Sequence, residues 1–294
     1  MDPKKFLGTG VAIVTPFRKD GSVDFKSLGK LLDHIIKGGV NYVVALGSTG
    51  ESVTLSKDEK KAVVNFVIDS AAGKIPVVVG IGGNNTNEVL DTINHTDFTG
   101  VDAILSVSPY YNKPSQQGLY LHFKAIANCS PVPVIVYNVP GRTGSNISAE
   151  TTVKLASECK SIIATKEASG NLSQVMQIIH TKPKGFLVIS GDDALALPIM
   201  AVGGSGVISV SANAYPAEMS AMIQHALKGD YNKACAIHYK LLEITNALFE
   251  EGNPSGIKAL LETMKICQNN LRLPLAPVSE KLFSKIELLA KKVR

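Results

Sequence analysis

Short runs of apolar, largely β-branched residues alternate along this chain with longer stretches whose apolar positions recur every three or four residues. The apolar runs fall at 11–17, 42–46, 76–81, 103–107, 133–137, 162–165, 186–190 and 207–210. They are apolar nearly throughout rather than alternating, which is the pattern of strands covered on both faces. The stretches between them read as helices, for example 24–38 and 56–72. Ser56 with Glu59 three residues on has the spacing of a capping box opening the second. Eight consecutive strand–helix units predict an α/β fold, a closed (β/α)8 TIM barrel. An open doubly wound sheet is the alternative, but it usually carries a glycine-rich turn after its first strand. Here that strand ends Thr15-Pro16-Phe17.

After residue 214 the strand runs stop, and helical patterns follow at 216–228, 231–249, 254–268 and 279–292. The first can serve as the eighth helix of the barrel. The expected organisation is therefore a barrel catalytic domain over 1–228 and a C-terminal helical extension over 229–294, used for packing, oligomer contacts or both.

Composition narrows the class. The chain has 294 residues, 45% of them apolar, as in ordinary globular proteins. No apolar run reaches the roughly 18 residues that a membrane span needs. Met1-Asp2-Pro3-Lys4-Lys5 lacks the apolar core of a secretion signal, so the expected location is cytoplasmic. The net charge of +5 is scattered, and the basic run at 291–294 reads as a solvated helix end, so no nucleic-acid or membrane partner is expected. The four cysteines, 129, 159, 235 and 267, show no C-x-x-C spacing, and no metal site is expected.

Against this background Lys166 stands out, because it sits inside the buried-strand run Ile162-Ile163-Ala164-Thr165-Lys166-Glu167-Ala168. Other lysines fall in predicted helices, turns or tails. A buried, unpaired ammonium tends to shed its proton, and a neutral amine in a dry pocket attacks carbonyls to give a Schiff base. Glu167 cannot easily pair with it, since neighbouring strand residues point to opposite faces.

Barrel chemistry lies at the C-terminal ends of the strands. That rule gathers Gly47-Ser48-Thr49-Gly50-Glu51, Ser108-Pro109-Tyr110-Tyr111-Asn112, Tyr137 through Gly144, Lys166, and Ser190-Gly191-Asp192-Asp193 on one face. It sends Gly203-Gly204-Ser205-Gly206 to the opposite face as a tight turn. The Gly47–Glu51 loop has the makings of a carboxylate site or of an ordinary turn. Tyr137, beside Lys166 in barrel order, is a proton carrier or a core tyrosine. Arg142 between glycines can fork onto a second carboxylate. An amine nucleophile with two carboxylate sites suggests two acidic keto or aldehyde substrates. Carbon–carbon bond formation or cleavage follows, with no cofactor, since the protonated imine is the electron sink.

Together these blocks resemble the dihydrodipicolinate synthase and N-acetylneuraminate lyase superfamily of pyruvate-dependent class I aldolases, over nearly the whole chain. Tyr137-Asn138-Val139-Pro140-Gly141-Arg142-Thr143-Gly144 is similar to the synthase branch, which condenses pyruvate with L-aspartate 4-semialdehyde in lysine (diaminopimelate) biosynthesis. The sialic acid and 2-keto-3-deoxy sugar acid lyases generally lack an arginine at the position of Arg142. The resemblance implies that Lys166 forms the imine and that Thr49, with the backbone around Ser48, holds the pyruvate carboxylate. It makes Tyr137 the proton shuttle, relayed through Ser48 to a Tyr111 that reaches in from a neighbouring subunit. Arg142 would hold the semialdehyde carboxylate, and Gly191 and Ile208 would shape the pocket. Ser48 stands where many members have threonine. The hydroxyl is kept, while the methyl that stiffens the side chain is lost.

The resemblance further implies a homotetramer built as a dimer of dimers. It implies an allosteric lysine site at Ser52, Val53, Lys57, Lys60, Asn84, Glu88 and Tyr110. Lys57 and Lys60 replace histidines of lysine-sensitive members, and two added cations should repel a cationic effector. Weak or absent feedback is expected. Three other readings compete: a sugar acid or sialic acid lyase, a catalytically silent keto-acid-binding paralogue, and a pyridoxal-phosphate barrel. The last lacks a phosphate cup on the working face.

Overall fold

The computed structural model describes residues 2–293. Among them, eight parallel strands close into a barrel in simple sequential order. They are β1 (Gly8–Ala12), β2 (Tyr42–Ala45), β3 (Val77–Gly80), β4 (Ala103–Val107), β5 (Val134–Asn138), β6 (Ile162–Glu167), β7 (Leu187–Ser190) and β8 (Gly206–Ser209). The outer helices are α1 (Phe25–Lys37), α2 (Lys57–Ala71), α3 (Thr86–Asn94), α4 (Gln116–Cys129), the short α5 (Pro140–Thr143), α6 (Ala149–Glu158), α7 (Leu172–Thr181), α8 (Ala196–Ala201) and α9 (Pro216–Leu227). Three more, α10 (Tyr231–Ala247), α11 (Ser255–Thr263) and α12 (Glu280–Val293), form the C-terminal extension. No helix among the described residues is long and apolar enough to cross a membrane.

The apolar pattern splits into two layers, as a barrel requires. Val44, Val78, Leu105, Ile135, Ile189 and Ile208 fill the barrel interior. The residues next to them in sequence, such as Val43, Val79, Ile104 and Val136, pack outward under the helices. Local signals fix the helix starts. The Ser56 hydroxyl accepts from Glu59 N at 3.2 Å and the Glu59 carboxylate accepts from Ser56 N at 2.9 Å, the reciprocal cap the spacing predicted.

Most boundaries fall within two residues of expectation, and two elements depart further. The first strand was expected at 11–17 but lies at Gly8–Ala12. Residues 13–17 are also buried, yet they form the connection leaving the strand, with Val14 N donating to the Asn213 side chain at 3.2 Å. Burial without ladder pairing cannot be told from a strand by apolarity alone. The helix expected over 254–268 ends at Thr263, and Lys265 just beyond adopts φ 58°.

Gly203–Gly206 is the turn entering β8, at the N-terminal end of the barrel. Gly206 has φ 153°, and a Cβ there would lie 2.0 Å from Gly8 O, so the two strands meet only because this residue lacks a side chain.

Candidate active site

The C-terminal ends of the strands surround a cavity of about 440 Å³, lined in part by Ser48, Thr49, Tyr137, Arg142, Lys166 and Gly191. Lys166 is 5% exposed. Strand pairing places it level with Tyr137 on the neighbouring strand, and its Nζ lies 4.2 Å from the centre of the Tyr137 ring. Burial brings the Lys166 pKa down to about 7 from 10.5; the Asp193 carboxylate opposes the fall and the Arg142 cation adds to it. Burial pushes the Tyr137 phenol up to about 12, against the pull of Arg142.

Glu167 faces the other way. Its carboxylate accepts from the Asn138 amide at 3.1 Å, from Gln174 at 3.2 Å and from Ser169 N at 2.8 Å. It is satisfied without the lysine. Gly191 completes the nucleophile's seat, since a Cβ at that position would stand 3.0 Å from Lys166 Cε and 2.7 Å from Ala168 Cβ.

The anion loop follows β2 as a single 3-10 turn over Ser48–Gly50. Thr49 is 3% exposed, while Ser48 is exposed. Non-glycine residues with left-handed backbone flank the turn, Leu46 at φ 56° and Glu51 at φ 52°, each a strained conformation. Arg142 sits on α5, with its guanidinium donating to Asn253 O at 3.1 Å.

Tyr111 and Ile208 do not line the cavity. Ile208 lies in the barrel interior beneath it. Tyr111 has φ 72° and is 89% exposed, directed away from its own chain's core. Among the described residues no hydrogen bond joins the hydroxyls of Tyr137, Ser48 and Tyr111. The residues of the expected lysine site do not line the cavity, and among the described residues one hydrogen bond joins two of them. Asn84 donates to Tyr110 O at 3.1 Å, Glu88 accepts from Asn85, and Val53 is 81% exposed. Ser52 belongs to the turn just ahead of α2; Lys57 is exposed and Lys60 half-buried on that helix.

Sequence reasoning missed the contribution of the C-terminal extension. Asn253 donates its amide to Thr49 Oγ1 at 2.9 Å. Lys258, fully buried on α11, forms a 2.5 Å ion pair with the equally buried Glu51 and donates to Asn270 O at 2.8 Å. Arg272 N donates to the other oxygen of Glu51 at 3.2 Å, and its guanidinium binds Glu59 and the carbonyls of Gly21 and Thr54. The Phe17 ring lies 4.2 Å from Lys258 Nζ and 4.5 Å from the Arg272 guanidinium carbon. Lys258 falls in a helix, as the sequence predicts, but that helix is buried, so Lys166 is not the one lysine held in an apolar setting. The run Ile257-Lys258-Ala259-Leu260-Leu261 carried the same signal, hidden by its helical setting.

The dihydrodipicolinate synthetase family matches residues 5–293. A 4-hydroxy-tetrahydrodipicolinate synthase of Flavobacterium psychrophilum is 50% identical over 98% of this chain and 98% of its own length. Among solved structures, one described as a monomeric dihydrodipicolinate synthase variant superposes with TM-score 0.97 at 38% identity, covering 99% of this chain and 98% of that one. The enzyme of Cyanidioschyzon merolae, solved with lysine bound, gives TM-score 0.95 at 38% identity over 98% of each chain.

Proposed function

The chain belongs to the dihydrodipicolinate synthetase family, and from that premise we infer how it works as a 4-hydroxy-tetrahydrodipicolinate synthase, a lyase of lysine biosynthesis. The observation that carries the reading is the Lys166–Tyr137 pair at the floor of a cavity that also presents Thr49 and Arg142.

Near neutral pH about half of Lys166 is the free amine, whereas an ordinary lysine of pKa 10.5 is about one part in 3000 neutral at pH 7. The amine attacks C2 of pyruvate, and loss of water from the adduct gives the protonated imine. Thr49 and the backbone beside Ser48 hold the pyruvate carboxylate. Tyr137, neutral below about pH 12, gives a proton to the departing hydroxyl. The Tyr137 phenolate left by that step takes a proton from C3 to form the enamine, whose carbon attacks the aldehyde of L-aspartate 4-semialdehyde, and the restored phenol returns the proton to the aldehyde oxygen. Arg142, already oriented by Asn253 O, takes the second carboxylate. Gly191 leaves room for the lysine stem, and Ile208 supports the floor from below.

The relay from Tyr137 through Ser48 to Tyr111 requires a second subunit. A tyrosine that is 89% exposed on a strained backbone is a reasonable donor to a neighbour, and we propose a homotetramer of tight dimers acting in the cytoplasm. Residues 229–294 act as a helical domain that closes the site. Ser52, Val53, Lys57, Lys60, Asn84, Glu88 and Tyr110 are the proposed lysine site, weakened by Lys57 and Lys60.

Borohydride reduction in the presence of pyruvate, followed by peptide mass mapping, tests the mechanism. The expected adduct is on Lys166. An adduct on any other residue, or none, refutes it. A coupled assay offering sugar aldehydes beside L-aspartate 4-semialdehyde tests the second substrate, and Arg142 predicts preference for the latter.

A further inference from the structure

Thr49 presents an unusual hydrogen-bonding state for a buried hydroxyl. Its oxygen accepts from the Asn253 amide at 2.9 Å, and its own hydrogen donates to nothing among the described residues. A hydroxyl has one hydrogen to donate and two lone pairs to accept with. A threonine this deeply buried normally finds a carbonyl for that hydrogen. Asn253 is itself 7% exposed and lines the cavity beside Thr49, and its Oδ1 is buried without a partner. Leaving a buried acceptor unpaired is unfavourable. An amide at this position therefore calls for a role that an apolar side chain could not fill.

We infer that Asn253 is a positioning residue which fixes the polarity of the Thr49 hydroxyl: by donating into its oxygen, the amide leaves the hydroxyl hydrogen to point at the substrate carboxylate. This rests on the reading that Thr49 holds the pyruvate carboxylate. The same residue serves the second substrate through a different atom, because its backbone carbonyl accepts from Arg142 at 3.1 Å. One position on the C-terminal extension thus prepares both donors, the hydroxyl through its side chain and the guanidinium through its main chain. Changing the side chain should disturb only the first.

That separation gives the test. Asn253→Leu is expected to raise the pyruvate KM about 2- to 10-fold, the range for one net hydrogen bond. The aldehyde KM should stay within about twofold and the pyruvate dependence of borohydride trapping should shift in parallel. Asn253→Ser, whose hydroxyl is too short to replace the amide, should behave alike if the leucine variant folds poorly. Thr49→Val should raise the pyruvate KM by itself, and adding Asn253→Leu to it should cause no further loss, because the group being oriented is gone. If Thr49→Val raises the pyruvate KM while Asn253→Leu does not, or if the two losses multiply, the inference is overturned. A Thr49→Val protein with unchanged pyruvate KM overturns instead the carboxylate reading beneath it. A merely structural role for Asn253 would raise both KM values and lower the Tm together.

Discussion

Replacing Lys166 by methionine should abolish imine formation and, at low pH, make the protein more stable. In the folded chain burial holds the amine near pKa 7; unfolding returns it to the ordinary 10.5. Between those values the unfolded chain binds a proton that the native state has released, so native stability rises with pH across that window. Below pH 7 the lysine is charged in both states and its full desolvation penalty stands. A pKa drop from 10.5 to about 7 corresponds to about 5 kcal/mol at 1.36 kcal/mol per pH unit. Methionine removes the charge while filling similar space between the Tyr137 ring and Gly191. Imperfect packing should reduce the gain to roughly 2–4 kcal/mol at pH 6. The gain should shrink steadily and vanish by about pH 10.5. Urea unfolding of both proteins at pH 6, 8 and 10, at one protein concentration, measures it. A difference independent of pH, or a loss at pH 6, would mean that Lys166 keeps an ordinary pKa. The account of its nucleophilicity would then fail.

Four further outcomes follow from the same geometry. Tyr137→Phe keeps the ring beneath Lys166 but removes the phenol, so kcat should fall by about 10²–10⁴ while the borohydride adduct still forms slowly; an unchanged kcat would remove Tyr137 from proton transfer. Arg142→Ala should raise the aldehyde KM and move the acid limb of pyruvate trapping to higher pH, because the cation that lowers the Lys166 pKa is gone; a limb that moves down contradicts this. Glu51→Gln should destabilise by about 3–5 kcal/mol in thermal or urea unfolding by stranding Lys258, and adding Lys258→Met should recover much of the loss. Added L-lysine should give weak or no inhibition in the steady-state assay, and half-inhibition at sub-millimolar concentration would refute the role given to Lys57 and Lys60.

Much of this was legible because barrel physics writes it locally. A strand buried on both faces must be apolar, so the eight runs appear in sequence, and a lysine within one of them is conspicuous. The working face follows from topology, which puts Ser48, Thr49, Tyr137, Arg142, Lys166 and Gly191 together, and these six line one cavity; the block at 108–112 assigned to the same face does not line it. The level pairing of Tyr137 with Lys166 is a consequence of neighbouring strands, and it sets their 4.2 Å contact. Where local rules gave out, the misses were physical. Residues 13–17 satisfy burial without satisfying a ladder, and no periodicity separates the two conditions.

The largest omission was of partners distant in sequence. The hydrogen bond from Asn253 to Thr49 spans 204 residues, and the ion pair from Lys258 to Glu51 spans 207. No spacing rule reaches so far, and the sequence alone offers the extension only packing, oligomer contacts or both. Yet the loop it holds is strained in its own backbone. Leu46 and Glu51 both take left-handed backbone without glycine's freedom, an arrangement disfavoured by about 1–3 kcal/mol at each residue. Such strain persists only where surrounding contacts over-determine it. Here the contacts are Lys258 and Arg272 N on the two oxygens of Glu51, and Asn253 on the Thr49 hydroxyl. The division of labour is therefore by rigidity. The barrel fixes the nucleophile and its phenol through strand register, which needs no outside help. The carboxylate loop, bent against its own preferences, takes its shape from helices that follow the barrel in the chain.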